Sequence, residues 1–198
     1  MIPELILLAI IIGYIFKGKL ERIADVDIRH SWMIFAPAVC YIFAKGFQIY
    51  FPYNNFSEII YSITHLVGTF MLLFMVLCNL HISGAKLIAL GLILNIFAIS
   101  ANSGFMPVSK EAIELVYGSE HLNKALVDEQ IRSSFVDDAT KLKIFTDIIP
   151  LPRPYVLIPA VYSIGDFLMS FGLVVAIVKL MKRKNSNSDN AKSILENE

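Results

Sequence analysis

The stretch that decides the fold runs from Thr146 to Lys184, TDIIPLPRPYVLIPAVYSIGDFLMSFGLVVAIVKLMKRK. It holds Asp147, a turn rich in proline (Pro150, Pro152, Pro154), and an apolar run from Tyr155 to Leu180 that contains a second aspartate, Asp166. A helix needs about 20 residues to cross about 30 Å of hydrocarbon, so this run predicts a membrane span. A carboxylate within a span costs several kcal/mol unless it is paired, neutralised or facing water, which makes Asp166 a functional candidate with a partner to be found. A plainer reading stands beside it: Asp166 hydrogen-bonds a neighbouring helix, or lies shallow enough to stay wet.

Working outward, the whole 198-residue chain shares this character. Its hydrophobic share is 56% and its charged share 17%, against roughly 45–50% and 25% for soluble domains. The expectation is an integral membrane protein. Net charge is zero and the 17 Lys+Arg are scattered, without the stripe that tracks phosphates, so no nucleic-acid partner is expected. Cys40 and Cys78 fall in apolar runs with no Cys or His at ligand spacing. They read as small apolar side chains, and neither a metal site nor a cofactor is expected.

Five apolar segments are visible: Ile2 to Phe16, Trp32 to Tyr50, Ile59 to Leu80, Lys86 to Ala101 and Tyr155 to Leu180. The expected fold class is all-α, a polytopic membrane helical bundle of about five transmembrane helices, forming one domain over residues 1–184. The first and fourth segments are short, and the first is open to a half-inserted alternative. Glu4 precedes the first apolar core while Lys17, Lys19 and Arg22 follow it, the reverse of a secretory signal, so a retained span is expected there. Lys17, Lys19, Arg22 and Arg29 in the first loop, and Lys182, Arg183 and Lys184 after the last segment, place those regions inside by the positive-inside bias. The N-terminus is then outside and the C-terminus cytoplasmic, in the cell membrane.

Residues 103–154 become an outer loop. Within it, SKEAIELVYG has Ser109 as an N-cap and Gly118 as a stop, and SEHLNKALVDEQIRSSF and DDATKLKIF have apolar positions at helical spacing. Two or three short amphipathic helices are expected on the outer surface. The polar tail, 185–198, reads as disordered cytoplasmic chain.

Depth brings further residues toward Asp166. Asp166 lies 13 positions from Lys179, and Lys45 lies 13 from Trp32, so both fall about 20 Å from the inner boundary at about 1.5 Å per residue. His65 and Asn102 fall about 24 Å up by the same rise. Asn95 is on the face of Asn102, seven residues below. A polar pocket opening outward is expected from these residues, with Asp147 arriving from the loop. Taken singly, Lys45 could instead snorkel, Asn102 could cap its helix, and His65 could bond a neighbouring helix.

NSGFMPVS (Asn102 to Ser109), TDIIPLP (Thr146 to Pro152) and YSIGD (Tyr162 to Asp166) resemble a bacterial family of five-span integral membrane proteins of unknown function. The last two helices bear a more distant likeness to lipoprotein signal peptidase, a membrane aspartyl peptidase. D-I-I at Asp147 is similar to its D-F-I motif, S-I-G-D at Asp166 to its N-x-A-D motif, and Asn95 or Asn102 could stand where that family has a motif asparagine. The family's N-x-G-A-A-F and G-N-x-x-D-R motifs are missing, and a long insert separates Asn102 from Asp147.

That resemblance implies a catalytic role for Asp147 and Asp166 and a membrane-anchored or lipid-linked substrate; Asn102 and Asn95, and by their depth Lys45 and His65, are the expected binding or charge-tuning groups. Two close carboxylates cannot both ionise easily, so one can hold a proton while the other activates water. The alternative is a non-catalytic membrane protein with a structural or ligand-binding pocket around Asp166. Transport is weaker, for no inverted repeat is visible.

Overall fold

The computed structural model describes residues 2–51, 55–127 and 135–183; the tail over 185–198 and the end of SEHLNKALVDEQIRSSF lie outside the described residues. Three helical stretches are long and apolar enough to cross a membrane: Ser31–Tyr50, Phe56–Cys78 and Ile164–Lys182. Two further apolar helices are shorter, Glu4–Ile15 with 12 residues and Ala85–Ala101 with 17, or about 18 and 26 Å of rise. Three of the five expected spans thus meet the length a bilayer requires.

In chain order the elements are α1 (Glu4–Ile15), α2 (Glu21–Ala24), a 3₁₀ turn (Ser31–Phe35), α3 (Ala36–Tyr50), α4 (Asn55–Cys78), α5 (Ala85–Ala101), α6 (Lys110–Tyr117), α7 (Ser119–Val127), a second 3₁₀ turn (Lys143–Phe145), β1 (Ile149–Leu151), β2 (Ala160–Tyr162) and α8 (Ile164–Lys182). The chain is mostly helical, with one antiparallel hairpin that the all-α expectation lacks. Ile149, Pro150 and Leu151 pair with Tyr162, Val161 and Ala160. The last apolar run is therefore not one helix. Pro150, Pro152, Pro154 and Pro159 each lack the N–H a helix needs, so Tyr155 to Tyr162 becomes turn and strand, and α8 starts only at Ile164.

The apolar helices pack in the sequence α1, α8, α5, α4, α3, each against the next. The seam between α5 and α8 follows from residue size. Ala85, Ala89, Leu92, Ile96 and Ile99 are buried along α5, and Gly165, Met169, Gly172 and Ala176 along α8. Alternating steps of three and four keep such residues on one helix face. Small side chains let the two backbones approach, a favoured mode of helix association in lipid. Large apolar groups such as Ile11, Ile42, Phe70 and Phe97 remain exposed on the outer faces, as a lipid-facing surface requires.

The end of α8 is tied to the first loop. Met181 is fully buried, and its carbonyl accepts from Lys19 N at 2.9 Å and from Arg22 Nη1 at 3.1 Å. The expected loop helices are present as α6 and α7. Ser109 Oγ accepts from Ala112 N at 3.1 Å at the start of α6, and Gly118, at φ 87°, ends it. DDATKLKIF, by contrast, forms a turn and a 3₁₀ segment. Asp137 Oδ1 accepts from Ala139 N at 3.0 Å and Thr140 Oγ1 at 2.9 Å, a local arrangement that competes with a helix.

Candidate functional site

The hairpin delivers one aspartate to the other. Continuing its register two residues beyond the Ile149–Tyr162 pair sets Asp147 opposite Ile164, the first residue of α8. The Asp147 backbone is fixed from the other side, its N–H donating to Pro107 O and its carbonyl accepting from Ser109 N, both at 2.9 Å. Thr146 beside it is fully buried. The strand position of Asp147 is thus set by the segment that leaves α5.

Its side chain is left otherwise. Asp147 Oδ1 is buried with no hydrogen-bond partner among the described residues. Burial, then the negative charge of Asp166, push the Asp147 carboxyl up to about 7, because both disfavour the ionised form. A carboxyl at that value is close to half protonated at neutral pH.

Asp166 occupies the first turn of α8 and forms a capping box with Ser163. Ser163 Oγ accepts from Asp166 N at 3.1 Å, and Asp166 Oδ2 accepts from Ser163 N at 3.2 Å. The reciprocal bonds satisfy two backbone donors that the helix leaves open. The Ser163 hydroxyl also lies 3.1 Å from Asp166 Oδ2 and 3.0 Å from Asn95 Oδ1. It has a single proton and donates to one of them at a time. Asn95 on α5, Ser163 just before α8 and Asp166 in its first turn therefore form one polar cluster, and Asp147 on the loop lies close enough to feel the Asp166 charge.

Other sequence-singled residues lie elsewhere. Asn102 at the end of α5 clasps the loop that follows α7, with Nδ2 donating to Lys141 O and Oδ1 accepting from Lys141 N, each at 2.9 Å. Lys45 Nζ sits 5.6 Å from the Tyr61 ring centroid, within cation–π range. His65 lies beside the same ring at 5.9 Å, and its buried Nδ1 has no partner among the described residues. A cavity of about 150 Å³ between α3 and α4 is lined by Tyr41, Tyr61, Thr64 and His65. The equal depths of these residues thus resolve into two groups, one at α5/α8 and one at α3/α4.

Sequence reasoning passed over Ser163, although Ser163-x-x-Asp166 is the spacing of a capping box. It also passed over Tyr162, which is buried next to the cluster. Burial, followed by the charges of Glu4 and Asp166, raises the Tyr162 hydroxyl above its usual range. Among the described residues, no group of three or more His, Cys, Asp or Glu is placed to hold a metal ion.

Residues 25–178 match a family described only as a family of unknown function, DUF5317. No curated protein and no solved structure matches the chain.

Proposed function

Because the chain belongs to this family of unknown function, membership brings no activity with it, and we propose one from the Asp147–Asp166 cluster. The protein is a multi-pass protein of the cell membrane, with five spans, its N-terminus outside and its C-terminus cytoplasmic. Its two aspartates act as an acid/base pair that hydrolyses a membrane-anchored or lipid-linked substrate at the outer face. The observation that carries this reading is the buried Asp147 carboxyl, raised to about 7 with Asp166 as a contributing charge. A protonated carboxyl beside a second carboxylate supplies both halves of general acid–base hydrolysis. Asp147, whose carboxyl burial raises to about 7, polarises the scissile carbonyl in its protonated form. Asp166 takes a proton from water as that water attacks.

The surrounding residues have supporting roles. Ser163 holds Asp166 Oδ2, Asn95 Oδ1 competes for the same Ser163 proton, and Asn102 pins the loop that leads to Asp147. The order of the D-I-I and S-I-G-D stretches, similar to lipoprotein signal peptidase, favours the same assignment. The test is cleavage of a fluorogenic lipid-anchored peptide by the full chain in liposomes. Asp147→Asn and Asp166→Asn should each lower turnover at least about 100-fold, as loss of a general acid or base does. Full turnover in either variant retires the mechanism.

A second reading is favoured by the capping box itself, in which Asp166 holds the start of α8 and catalyses nothing. The two separate cleanly. Asparagine at 166 still offers an oxygen to Ser163 N but cannot exchange a proton, so a structural Asp166 tolerates the change and a catalytic one does not.

A further inference from the structure

We propose that the end of the protein opposite the aspartates binds the phosphate of an anionic lipid headgroup. A cavity of about 680 Å³ opens there, bounded by the first loop, the α4–α5 turn and the end of α8. Arg29, Lys179, Lys182 and Arg183 line it, against Asp25 and Asp27. Four cations facing two carboxylates leave a net positive lining that a phosphate would neutralise. Among the described residues the ion pairs are Lys124–Glu120 and Lys143–Asp138, so these four cations have no such partner there.

The walls are held from behind. Arg29 is anchored through its backbone, its N–H donating to Asn79 Oδ1 at 2.9 Å and its carbonyl accepting from Asn79 Nδ2 at 2.8 Å. Asn79 is itself buried. These bonds leave the Arg29 guanidinium available for the planar, two-pronged recognition of phosphate that arginine favours. The far wall is the last turn of α8, tied down at Met181 by Lys19 and Arg22.

Three observations point to a lipid as the source of the phosphate. Val26, Ile82 and Leu180 give the cavity apolar walls beside its charges. Phe16 and Trp32 are exposed near the same end, and such rings mark the level of lipid headgroups. Lys182 Nζ lies 4.7 Å from the Phe16 ring centroid, placing a cation at that level. Basic pockets beside membrane helices on this side of a bilayer are suited to anionic headgroups. The 19 residues of α8 separate the cavity from the aspartates, about 28 Å along the helix, so the site stands independently of the hydrolase reading.

The experiment uses the full chain in neutral detergent. The single tryptophan, Trp32, reports binding by fluorescence, and native mass spectrometry counts the bound molecules. Dihexanoyl phosphatidate, dihexanoyl phosphatidylcholine and inorganic phosphate are titrated in parallel. Saturable binding of phosphatidate is expected, at least 10-fold tighter than the other two. The Arg29→Gln/Lys179→Gln double variant should weaken it at least 10-fold, and Asp25→Asn should tighten it several-fold. Non-saturable phosphatidate binding overturns the site, as does unchanged affinity in both the double variant and Asp25→Asn. Inorganic phosphate binding as tightly as phosphatidate overturns the assignment to lipid.

Discussion

Gly165 and Asn95 meet so closely that a methyl group has no place between them: a Cβ on Gly165 would lie 2.0 Å from Asn95 Oδ1 and 2.6 Å from Gly91 O. This contact closes the α5/α8 seam beside Asp166. Gly165→Ala should destabilise the protein by about 1–3 kcal/mol, the usual cost of overpacking. Asn95→Ala should recover part of that loss, because it removes the nearer obstacle but not the backbone carbonyl. Thermal unfolding of the two single variants and the double variant in one detergent measures the coupling. Strictly additive losses would show that the contact does not limit the seam.

The buried Asp147 carboxyl makes stability depend on pH in a stated direction. Its folded value of about 7 lies above the ordinary 3.8, so between those values the folded state holds a proton that the unfolded state has lost. Its stabilising contribution is complete below about pH 3.8 and is lost as pH rises through about 7. At about 1.4 kcal/mol per unit of pKa difference, the effect is on the order of 4 kcal/mol. Asp147→Asn should flatten this part of the profile and leave the protein more stable than wild type at pH 8. A wild-type profile that rises from pH 5 to pH 8, with the same rise in the variant, would refute the assignment.

Ser163→Ala removes the cap at the start of α8 and should cost about 0.5–2 kcal/mol. Asp166→Asn, which keeps an acceptor for Ser163 N, should cost less. Hydrogen exchange at the amides of Asp166 and Phe167 reads the difference directly, with faster exchange expected in Ser163→Ala. Equal exchange in both variants would mean that the reciprocal bonds do not hold the helix start.

Asn102→Ala should release the loop after α7 where it crosses Lys141. Three side chain to backbone bonds are lost at a partly exposed position, two to Lys141 and one to Ala98 O, for a cost of about 1 kcal/mol. Limited proteolysis should cut faster at Lys141 and Lys143, while the helix seam keeps its protection. An unchanged cleavage rate would show that the Lys141 turn stands without the clasp.

Local signals in the sequence survive well in the structure. Ser109 and Gly118 bound α6 as their cap and stop chemistry requires, and the apolar helices follow their hydropathy. The last apolar run was harder to read. A short apolar stretch suits a strand or a buried helix equally, and only the prolines and the Ser163-x-x-Asp166 spacing reveal that α8 begins late. Asp166 is consequently a first-turn residue, not one midway along a span. Depth counted along each helix gives height but not neighbours. It could not tell that Lys45 and His65 share Tyr61 while Asp147 feels the charge of Asp166, whose capping serine reaches Asn95. The sequence of helices across the structure settles that, through contacts distant along the chain.

That same packing sequence sets a timetable for biogenesis. α1 rests against α8, with Ile2 N donating to Ser170 Oγ at 2.9 Å and Gly13 against the Met181 side chain. At roughly 5–20 residues per second, the ribosome takes roughly 7–30 s to pass from the end of α1 to the start of α8. Throughout that interval α1 lacks α8, the helix it packs against most among the described residues. Insertion of α1 is then a provisional act, completed once α8 has been made, and a nascent chain stalled before Ile164 should leave α1 open to extraction or to capture by a chaperone.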